Sequence, residues 1–268
     1  MKLFQLLLIM FCLLWGIEAN AKTIVLIHGF QAKGMDWRTN RVAQGLQATG
    51  WIDGGHWQPT PRGLWNPTQL PKRPKDVFYT IDLPSTALIE VQAQWLDKYL
   101  ATIYQQRGEP LELVAHSAGG VVARYWLLAK RPIPINTLMT IASPHVGTPV
   151  SNLITDIMAT PWGRLADDLG LRPLYDASST LLQQLREERP GNFMYWLNHQ
   201  AHPRIRYISV VRDNERPSQF DFIVPFFSQN MNNVYALHGR SEVWASKGNH
   251  FLRQNDGFVI NQVLRTPF

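Results

Sequence analysis

The sequence predicts an α/β fold, with a mostly parallel sheet, helices on both faces and an inserted helical cap. Three observations support this prediction. Apolar segments typical of buried strands alternate with segments of helical periodicity. A serine stands where a predicted strand, residues 111–117, meets a predicted helix, residues 118–130. Residues 147–203 then interrupt the alternation with a helix-like stretch that has no strand signal, which indicates the cap.

The order of the predicted elements is strand, helix, strand, helix through most of the chain. Residues 22–30, "KTIVLIHGF", form a nearly continuous apolar run, as expected of a strand that is buried on both faces. The other predicted strands lie at residues 77–84, 111–117, 135–144, 204–212 and 233–239. Helices are predicted at residues 37–49, 86–106, 118–130 and 256–265. Residues 51–76 are rich in Pro, Gly and Trp, and they are expected to form a long loop.

The first 21 residues have the pattern of a cleavable secretory signal. Lys2 precedes an apolar run, residues 3–15, and the segment ends in Ala-Asn-Ala at residues 19–21. We therefore expect cleavage after Ala21, a single α/β domain at residues 22–268 with the cap inserted at about 147–203, and a secreted or periplasmic location. An uncleaved membrane anchor is the alternative. Cys12, the only cysteine, lies inside this segment, so the mature chain would form no disulfide.

Composition excludes some classes of function. The chain is 45% hydrophobic and 17% charged with a net charge of +6, which is typical of a globular protein. Its basic residues are scattered, apart from "PKRPK" at residues 71–75 in a Pro-rich segment. Nucleic-acid binding is not expected, because no basic stripe or known binding module is present. Transient contact with a membrane or lipid interface stays open.

The segment "LELVAHSAGG" is similar to a nucleophile elbow. In a sharp turn from strand to helix, the positions two residues before and after a nucleophilic serine must be small. Ala115 and Gly119 occupy those positions around Ser117. The backbone N–H groups of Ala118 and Phe30 would then stabilise an oxyanion, since Ala118 begins a helix and Gly29 lets the chain turn after the first strand.

Three motifs together resemble those of bacterial lipases and esterases of the α/β-hydrolase fold. They are "HGF" after the first strand, "AHSAGG" at the elbow and "TIASPHVGTP" at residues 140–149. Some of those lipases also carry alanine at the first small position of the elbow. The stretch "SPHVGTP" is similar to one in lipase-like relatives, including GPI-inositol deacylases, palmitoyl thioesterases and lecithin–cholesterol acyltransferase types.

This resemblance implies the chain order nucleophile, acid, histidine. Asp213 and Asp221 both follow the predicted strand 204–212, and "DFIVP" at residues 221–225 resembles the family pattern after the penultimate strand, which favours Asp221. His238 and His250 follow the acid, and His250 stands in a loop before the last helix, where this fold delivers its histidine. His116 is a poor base, because a side chain adjacent to the nucleophile points away from it.

The implied activity is hydrolysis of carboxylic esters by Ser117, His250 and Asp221 through an acyl-enzyme. No metal or organic cofactor is needed. Some related lipases carry a structural calcium, and Asp256 could contribute to such a site, although a solvated turn is the simpler interpretation. The same triad would also serve a thioesterase, an amidase or an acyltransferase, and a non-catalytic binding protein on a hydrolase scaffold is a further alternative.

The predicted cap bears on the substrate. Apolar residues recur there at helical spacing, and they either dock the cap or form a groove for an acyl chain: Trp162, Leu165, Leu169, Leu171, Leu174, Leu181, Leu182 and Leu185. Trp51, Trp57 and Trp65 could extend such a surface. Residues 175–185, "YDASSTLLQQL", resemble a segment of lipase caps, which favours lipid esters over small esters.

Overall fold

The computed structural model describes residues 21–71, 74–129, 132–151, 179–213 and 221–267. The predicted signal segment therefore lies outside the described residues except for Ala21. Within the described ranges, no helix combines the length and the apolar character that crossing a bilayer requires.

Eight strands form one sheet in the part of the chain that the structure describes, in the order β3-β2-β4-β1-β5-β6-β7-β8. Neighbouring strands are parallel throughout, except that β2 and β3 are antiparallel. The strands are β1 (Thr23–Ile27), β2 (Ile52–Thr60), β3 (Gly63–Trp65), β4 (Val77–Ile81), β5 (Leu111–His116), β6 (Ile135–Ile141), β7 (Arg206–Arg212) and β8 (Ser241–Ser246).

Helices follow most of the strands. They are α1 (Asp36–Thr39), α2 (Val42–Ala48), α3 (Ile89–Arg107), α4 (Ala118–Leu128), α5 (Phe193–Asn198), α6 (Phe226–Gln229) and α7 (Gln254–Arg265). The helix predicted at 37–49 is divided into α1 and α2 because Arg41 between them has a φ of 63°. The expected mostly parallel sheet with helices is confirmed.

The core consists of two layers, one on each face of the sheet. Val25 and Ile27 belong to the layer beneath α3 and α4, whereas Ile24 and Leu26 belong to the layer beneath α2 and α7. Both faces of β1 are therefore buried, which explains why its sequence is apolar without alternation. Gly45 and Gly257 allow α2 and α7 to pack closely, since a Cβ on either would collide with the other helix's backbone.

The prediction of a long loop at residues 51–76 is wrong, because this region contains β2 and β3. β2 pairs with β4 through a register shift between Asp53 and His56. The glycines within the shift permit close packing: a Cβ on Gly54 would stand 2.5 Å from the ring of Tyr79. The glycines here mark an irregularity within a strand. Their sequence pattern instead indicates a loop, because glycine is also common in turns.

Two of the three tryptophans in this region are core residues. Trp51 and Trp57 are buried, so the prediction that they extend an exposed surface is wrong for both. Trp65 on β3 is half-exposed.

The strand predicted at residues 233–239 is also wrong. Two 3₁₀ turns, Met231–Asn233 and Tyr235–Leu237, occupy that region, and the last strand is β8. β8 escapes the sequence pattern because it lies at the sheet edge, where all of its residues except Ser246 are partly or fully exposed and include charged Glu242.

The inserted cap at 147–203 stays a prediction, because residues 152–178 lie outside the described residues. In its described part, residues 179–184 are helical and α5 follows. Leu181, Leu182 and Leu185 are buried, and Leu181 and Leu185 join the core layer beneath α3 and α4. Leu181 and Leu185 therefore pack against the core in the way that a docking role requires.

Candidate active site

Ser117 lies at the carboxyl edge of the sheet, in the turn from β5 to α4. Its φ of 53° and ψ of −132° are rarely adopted by a residue with a side chain, and such strain costs on the order of 1–3 kcal/mol. Its backbone N–H donates to the carbonyl of Ile141 over 2.9 Å, which secures the turn against β6. Ser117 is only 8% exposed. The surrounding packing thus holds the serine in the strained turn that the motif predicted.

Small residues around the serine are required by close contacts. A Cβ on Gly29 would lie 2.7 Å from the Cβ of Ser117. A Cβ on Gly119 would overlap the carbonyl oxygen of His28. Ala115 is fully buried in β5, where its methyl group fits without displacing the turn. The loop after β1 and the start of α4 therefore approach each other directly beside Ser117.

His250 reaches this serine from the loop between β8 and α7. Its Nε2 atom lies 2.9 Å from Oγ of Ser117. Its Nδ1 atom lies 2.8 Å from Oδ2 of Asp221. In this arrangement neutral His250 donates its Nδ1–H to the carboxylate and accepts the hydroxyl proton of Ser117 at Nε2. The structure thus brings together the three side chains that the sequence singled out.

Asp221 is held by four hydrogen bonds. Its Oδ1 atom accepts the backbone N–H groups of Ile223 and Val224, at 3.0 and 2.9 Å. Its Oδ2 atom accepts His250 and, at 3.1 Å, the side-chain amide of Gln229. The carboxyl side chain is 2% exposed, so these donors replace the water that an ionised carboxylate would otherwise need.

The competing candidates lie elsewhere. Asp213 is exposed at the end of β7, where its backbone N–H donates to Ser246. His238 is also exposed, and its Nδ1 atom pairs with the carbonyl of Asn232 over 2.9 Å.

His116 supports the histidine loop instead of acting on the serine. Its Nε2–H donates to the backbone carbonyl of His250 over 2.8 Å. The two rings lie 5.1 Å apart, and the ring of Trp37 covers His116 edge-on. Burial, with a smaller contribution from His250, lowers the pKa of His116 well below its usual value. His116 therefore stays a neutral hydrogen-bond donor beside the site.

The loop that carries Phe30 is fixed by His28. The N–H of Leu83 donates to Nε2 of His28 over 2.9 Å, so Nδ1 carries the proton and donates to the carbonyl of Gly29. Burial lowers the pKa of His28, which keeps this neutral tautomer. Among the described residues, no acceptor contacts the backbone N–H of Phe30 or Ala118. Both groups remain able to donate to an oxyanion.

The motif at residues 140–149 packs against the loop that bears the acid. The N–H groups of His145 and Val146 donate to the backbone and side-chain oxygens of Ser228, over 2.8 and 3.3 Å. Ser228 in turn donates to the carbonyl of Gly147 over 2.6 Å. The hydroxyl of Thr148 donates to the carbonyl of Ile223, two residues after Asp221. This motif therefore anchors the acid loop at two points that follow Asp221, namely Ile223 and Ser228.

Asp256, which was considered as a calcium ligand, instead forms an ion pair with Arg212. Both carboxylate oxygens accept the guanidinium of Arg212, over 2.6 and 2.9 Å, and Oδ2 also caps α7 by accepting the N–H of Arg253. Over the described residues, no cluster of metal-ligating side chains is found. The interpretation of Asp256 as a solvated turn residue is wrong as well, because this carboxylate is completely buried.

Gln229 and Arg212 were missed by the sequence reasoning. Gln229 contacts Asp221, and Arg212 donates to the backbone carbonyl of Phe251, next to His250. Neither lies in a local motif: Gln229 follows Asp221 by only eight residues, whereas Arg212 reaches Phe251 across 39 residues because β7 and β8 end side by side. The sequence offered one indication, which is that Arg212 ends a mainly apolar predicted strand and could therefore be buried.

Comparisons with known proteins support this fold. A family model described as the PGAP1-like alpha/beta domain matches residues 75–159. This range contains the elbow and covers less than half of the chain. The mature form of the Bacillus licheniformis lipase BlEst2 is similar in structure, with a TM-score of 0.61 and 18% sequence identity over 93% of this chain and 94% of that one. No curated protein sequence matches the chain.

Two further solved structures are similar. An esterase from Exiguobacterium antarcticum has a TM-score of 0.51 and 13% identity, over 91% of both chains. An extracellular α/β-hydrolase from a Paenibacillus species has a TM-score of 0.50 and 15% identity, over 91% of this chain and 98% of that one. The chain therefore has the α/β-hydrolase fold, which the sequence resemblance implied.

Proposed function

We propose that the protein is a secreted or periplasmic serine hydrolase that cleaves carboxylic esters, with lipid acyl esters as its substrate class. The observation that supports this most directly is the continuous hydrogen-bonded series from Ser117 through His250 to Asp221, built on a strained elbow. The N-terminal pattern supports export. The similarity to a lipase and an esterase, together with the cap-like sequence at 175–185, supports an acyl ester as the substrate.

In the proposed mechanism, Oγ of Ser117 attacks the ester carbonyl while Nε2 of His250 takes its proton. Asp221 holds the Nδ1–H tautomer and stabilises the imidazolium that forms. The N–H groups of Phe30 and Ala118 stabilise the oxyanion. The C–O bond then breaks, and the leaving alcohol takes the proton from His250. Water, activated by the same histidine, hydrolyses the acyl-enzyme and regenerates the serine.

The test is hydrolysis by the wild type beside Ser117→Ala, His250→Ala and His238→Ala, with labelling by a fluorophosphonate probe. Ser117→Ala and His250→Ala are expected to lower kcat by about 10⁵- to 10⁶-fold, because the members of a triad act as a unit. His238→Ala is the matched control and keeps full activity, since its side chain pairs with Asn232.

The substrate class is tested by a panel of triglycerides, short p-nitrophenyl esters, acyl thioesters and amides. Activity that rises with acyl chain length supports a lipase, whereas equal activity at every length contradicts it. Preference for thioesters, amides or transfer to an alcohol would identify the alternative chemistries of the same triad. If the wild type is not labelled at Ser117, the enzyme proposal is wrong and a binding protein on this scaffold is the better interpretation.

A further inference from the structure

We infer that Gln229 is a positioning residue for the triad, one that sets where the acid meets the histidine. This inference rests on the proposed function and identifies a residue that no motif marks. Gln229 lies at the end of α6 and is 1% exposed. Its amide is placed between the strand that precedes the acid loop and the carboxylate itself.

Each hydrogen-bonding group of this amide has a defined partner. Its Oε1 atom accepts the backbone N–H of Arg212 over 2.7 Å. Its Nε2 group donates to Oδ2 of Asp221 over 3.1 Å and to the carbonyl of Val224 over 2.8 Å. A flipped amide would turn its oxygen toward two acceptors and its NH₂ toward a donor, so only one orientation satisfies all three partners.

This orientation matters because of what Asp221 requires. The two backbone donors hold Oδ1, while Oδ2 is held by Gln229 and by the catalytic candidate His250. The proton that His250 moves in the proposed reaction is at Nε2, and its Nδ1–H keeps its bond to Oδ2, so Gln229 is a second donor to Oδ2 that takes no part in the proton transfer. The amide therefore fixes the carboxylate in the rotation at which it meets Nδ1 of the imidazole.

Gln229 also connects the acid to the loop of the base. Its partner Arg212 donates its guanidinium to the carbonyl of Phe251, the residue after His250, and to Asp256 at the start of α7. The backbone of Arg212 thus anchors the acid through Gln229, while its side chain anchors the base. This connection across the end of β7 acts together with the contact of His116 with the His250 carbonyl and that of Thr148 with the Ile223 carbonyl in setting the separation between Asp221 and His250.

The experiment compares Gln229→Leu and Gln229→Glu with the same substitutions at Gln184. Gln184 is a matched control, because its Oε1 accepts the N–H of Ile89 over 2.9 Å and its Nε2 donates to the carboxylate of Glu90 over 2.7 Å, outside the triad. Gln229→Leu is expected to lower kcat by about 10- to 100-fold with KM nearly unchanged, because misplaced catalytic groups slow the chemical step. The Gln184 variants should retain the wild-type kcat.

Gln229→Glu adds a readout that a merely structural role would not change. It places a second carboxyl beside Asp221, and two adjacent carboxyl groups share a proton as the pH falls. Once protonated, the introduced carboxyl can donate to Oδ2 as the amide does. The ratio of the variant's kcat to that of the wild type should therefore rise as the pH falls from about 8 to about 5.

The outcomes separate this inference from the proposed function. An active wild type with an unchanged kcat in Gln229→Leu would overturn the role of Gln229 alone. A pH-independent ratio for Gln229→Glu would overturn it too, and this ratio decides the matter if the Leu variant does not fold. An inactive, unlabelled wild type would instead overturn the proposed function.

Discussion

Arg124 and Arg212 are both buried, yet they are surrounded in opposite ways. Arg212, at the end of β7, forms a two-bond ion pair with Asp256, and both side chains are completely buried. Arg124, on α4, is also inaccessible, but neutral groups accept its hydrogen bonds. Arg212 lies beside the loops that carry Asp221 and His250, whereas Arg124 contacts Asn198 and His202 at the described end of the predicted cap region.

The surroundings of Arg124 satisfy every donor without a charge. Its nitrogens donate to the carbonyl and Nδ1 of His145, to the amide oxygen of Asn198 and to Nε2 of His202, over 2.8 to 3.4 Å. Burial lowers the pKa of Arg124 to about 9. Burial, followed by the charge of Arg124, also lowers the pKa of His202 to about 3 and that of His145 well below its usual value.

The difference shows two ways of burying a cation. At Arg212 a carboxylate offsets the charge, so removing the carboxylate would leave an unpaired ion in the core. At Arg124 the charge is stabilised by neutral dipolar groups instead of a carboxylate. These groups include His145 and His202, which must stay neutral because a second positive charge there would repel the guanidinium. The first arrangement should be sensitive to mutation, and the second should be sensitive to pH.

The largest expected effect is that of Asp256→Asn. This change leaves the guanidinium of Arg212 without its counter-ion and should destabilise the fold by about 3–5 kcal/mol. Ester hydrolysis should also fall in the folded fraction, because Arg212 anchors Phe251 beside His250. Urea unfolding followed by circular dichroism measures the first effect. A loss below 1 kcal/mol would contradict the comparison.

A smaller effect is expected for Arg124→Met. The substitution leaves His145, Asn198 and His202 short of a donor, and an unsatisfied buried acceptor costs about 1–3 kcal/mol. Removal of the buried charge offsets part of this cost. The net decrease in the free energy of unfolding should therefore be smaller than that caused by Asp256→Asn. Arg240→Met, at an exposed arginine with a carbonyl partner, is the control for the loss of positive charge.

The third effect is the pH dependence of stability that comes from the Arg124 region. His202 and His145 stay neutral in the folded state, whereas the unfolded chain protonates histidine near pH 6.5, so the unfolded state binds more protons below that pH. Their contribution to stability is complete above about pH 7 and is lost as the pH falls toward 3. Melting temperatures across this range should fall with pH in the wild type.

Arg124→Met should reduce that slope, because the charge that disfavours protonation of both histidines is gone. Substitution of the exposed His238 by Asn serves as the control and should leave the slope as it is. An identical slope in wild type and Arg124→Met would show that burial alone keeps the two histidines neutral.

The central strands of the sheet were predictable from sequence, whereas β2, β3 and β8, toward its two edges, were not. β1, β4, β5, β6 and β7 are mainly apolar, with isolated polar residues such as Glu112 and Ser209, because both of their faces are covered. β2 and β8 are missed because glycines and polar residues dominate them, and only pairing with β4 and β7 makes them strands. Propensity is a weak guide where tertiary pairing supplies the hydrogen bonds.

What the sequence determined by itself is the local chemistry of the elbow. Ser117 between a strand and a helix, with small residues at Ala115, Gly119 and Gly29, can be recognised because those constraints act over a few residues. The chain order that the resemblance to α/β-hydrolase lipases implies narrowed the acid and the base to two candidates each. These choices depended on chain order, since composition alone cannot rank two histidines.

Only the tertiary structure decided how the distant parts meet. His250 stands 133 residues from Ser117 in sequence, and the hydrogen bond between them exists because β5 and β8 end at the same edge of one sheet. Arg212 reaches the carbonyl of Phe251 across 39 residues for the same reason, whereas Gln229 lies only eight residues from Asp221 and is not marked by any motif. Side-chain contacts across a sheet edge follow from strand order and register, and neither is encoded in a short segment of sequence.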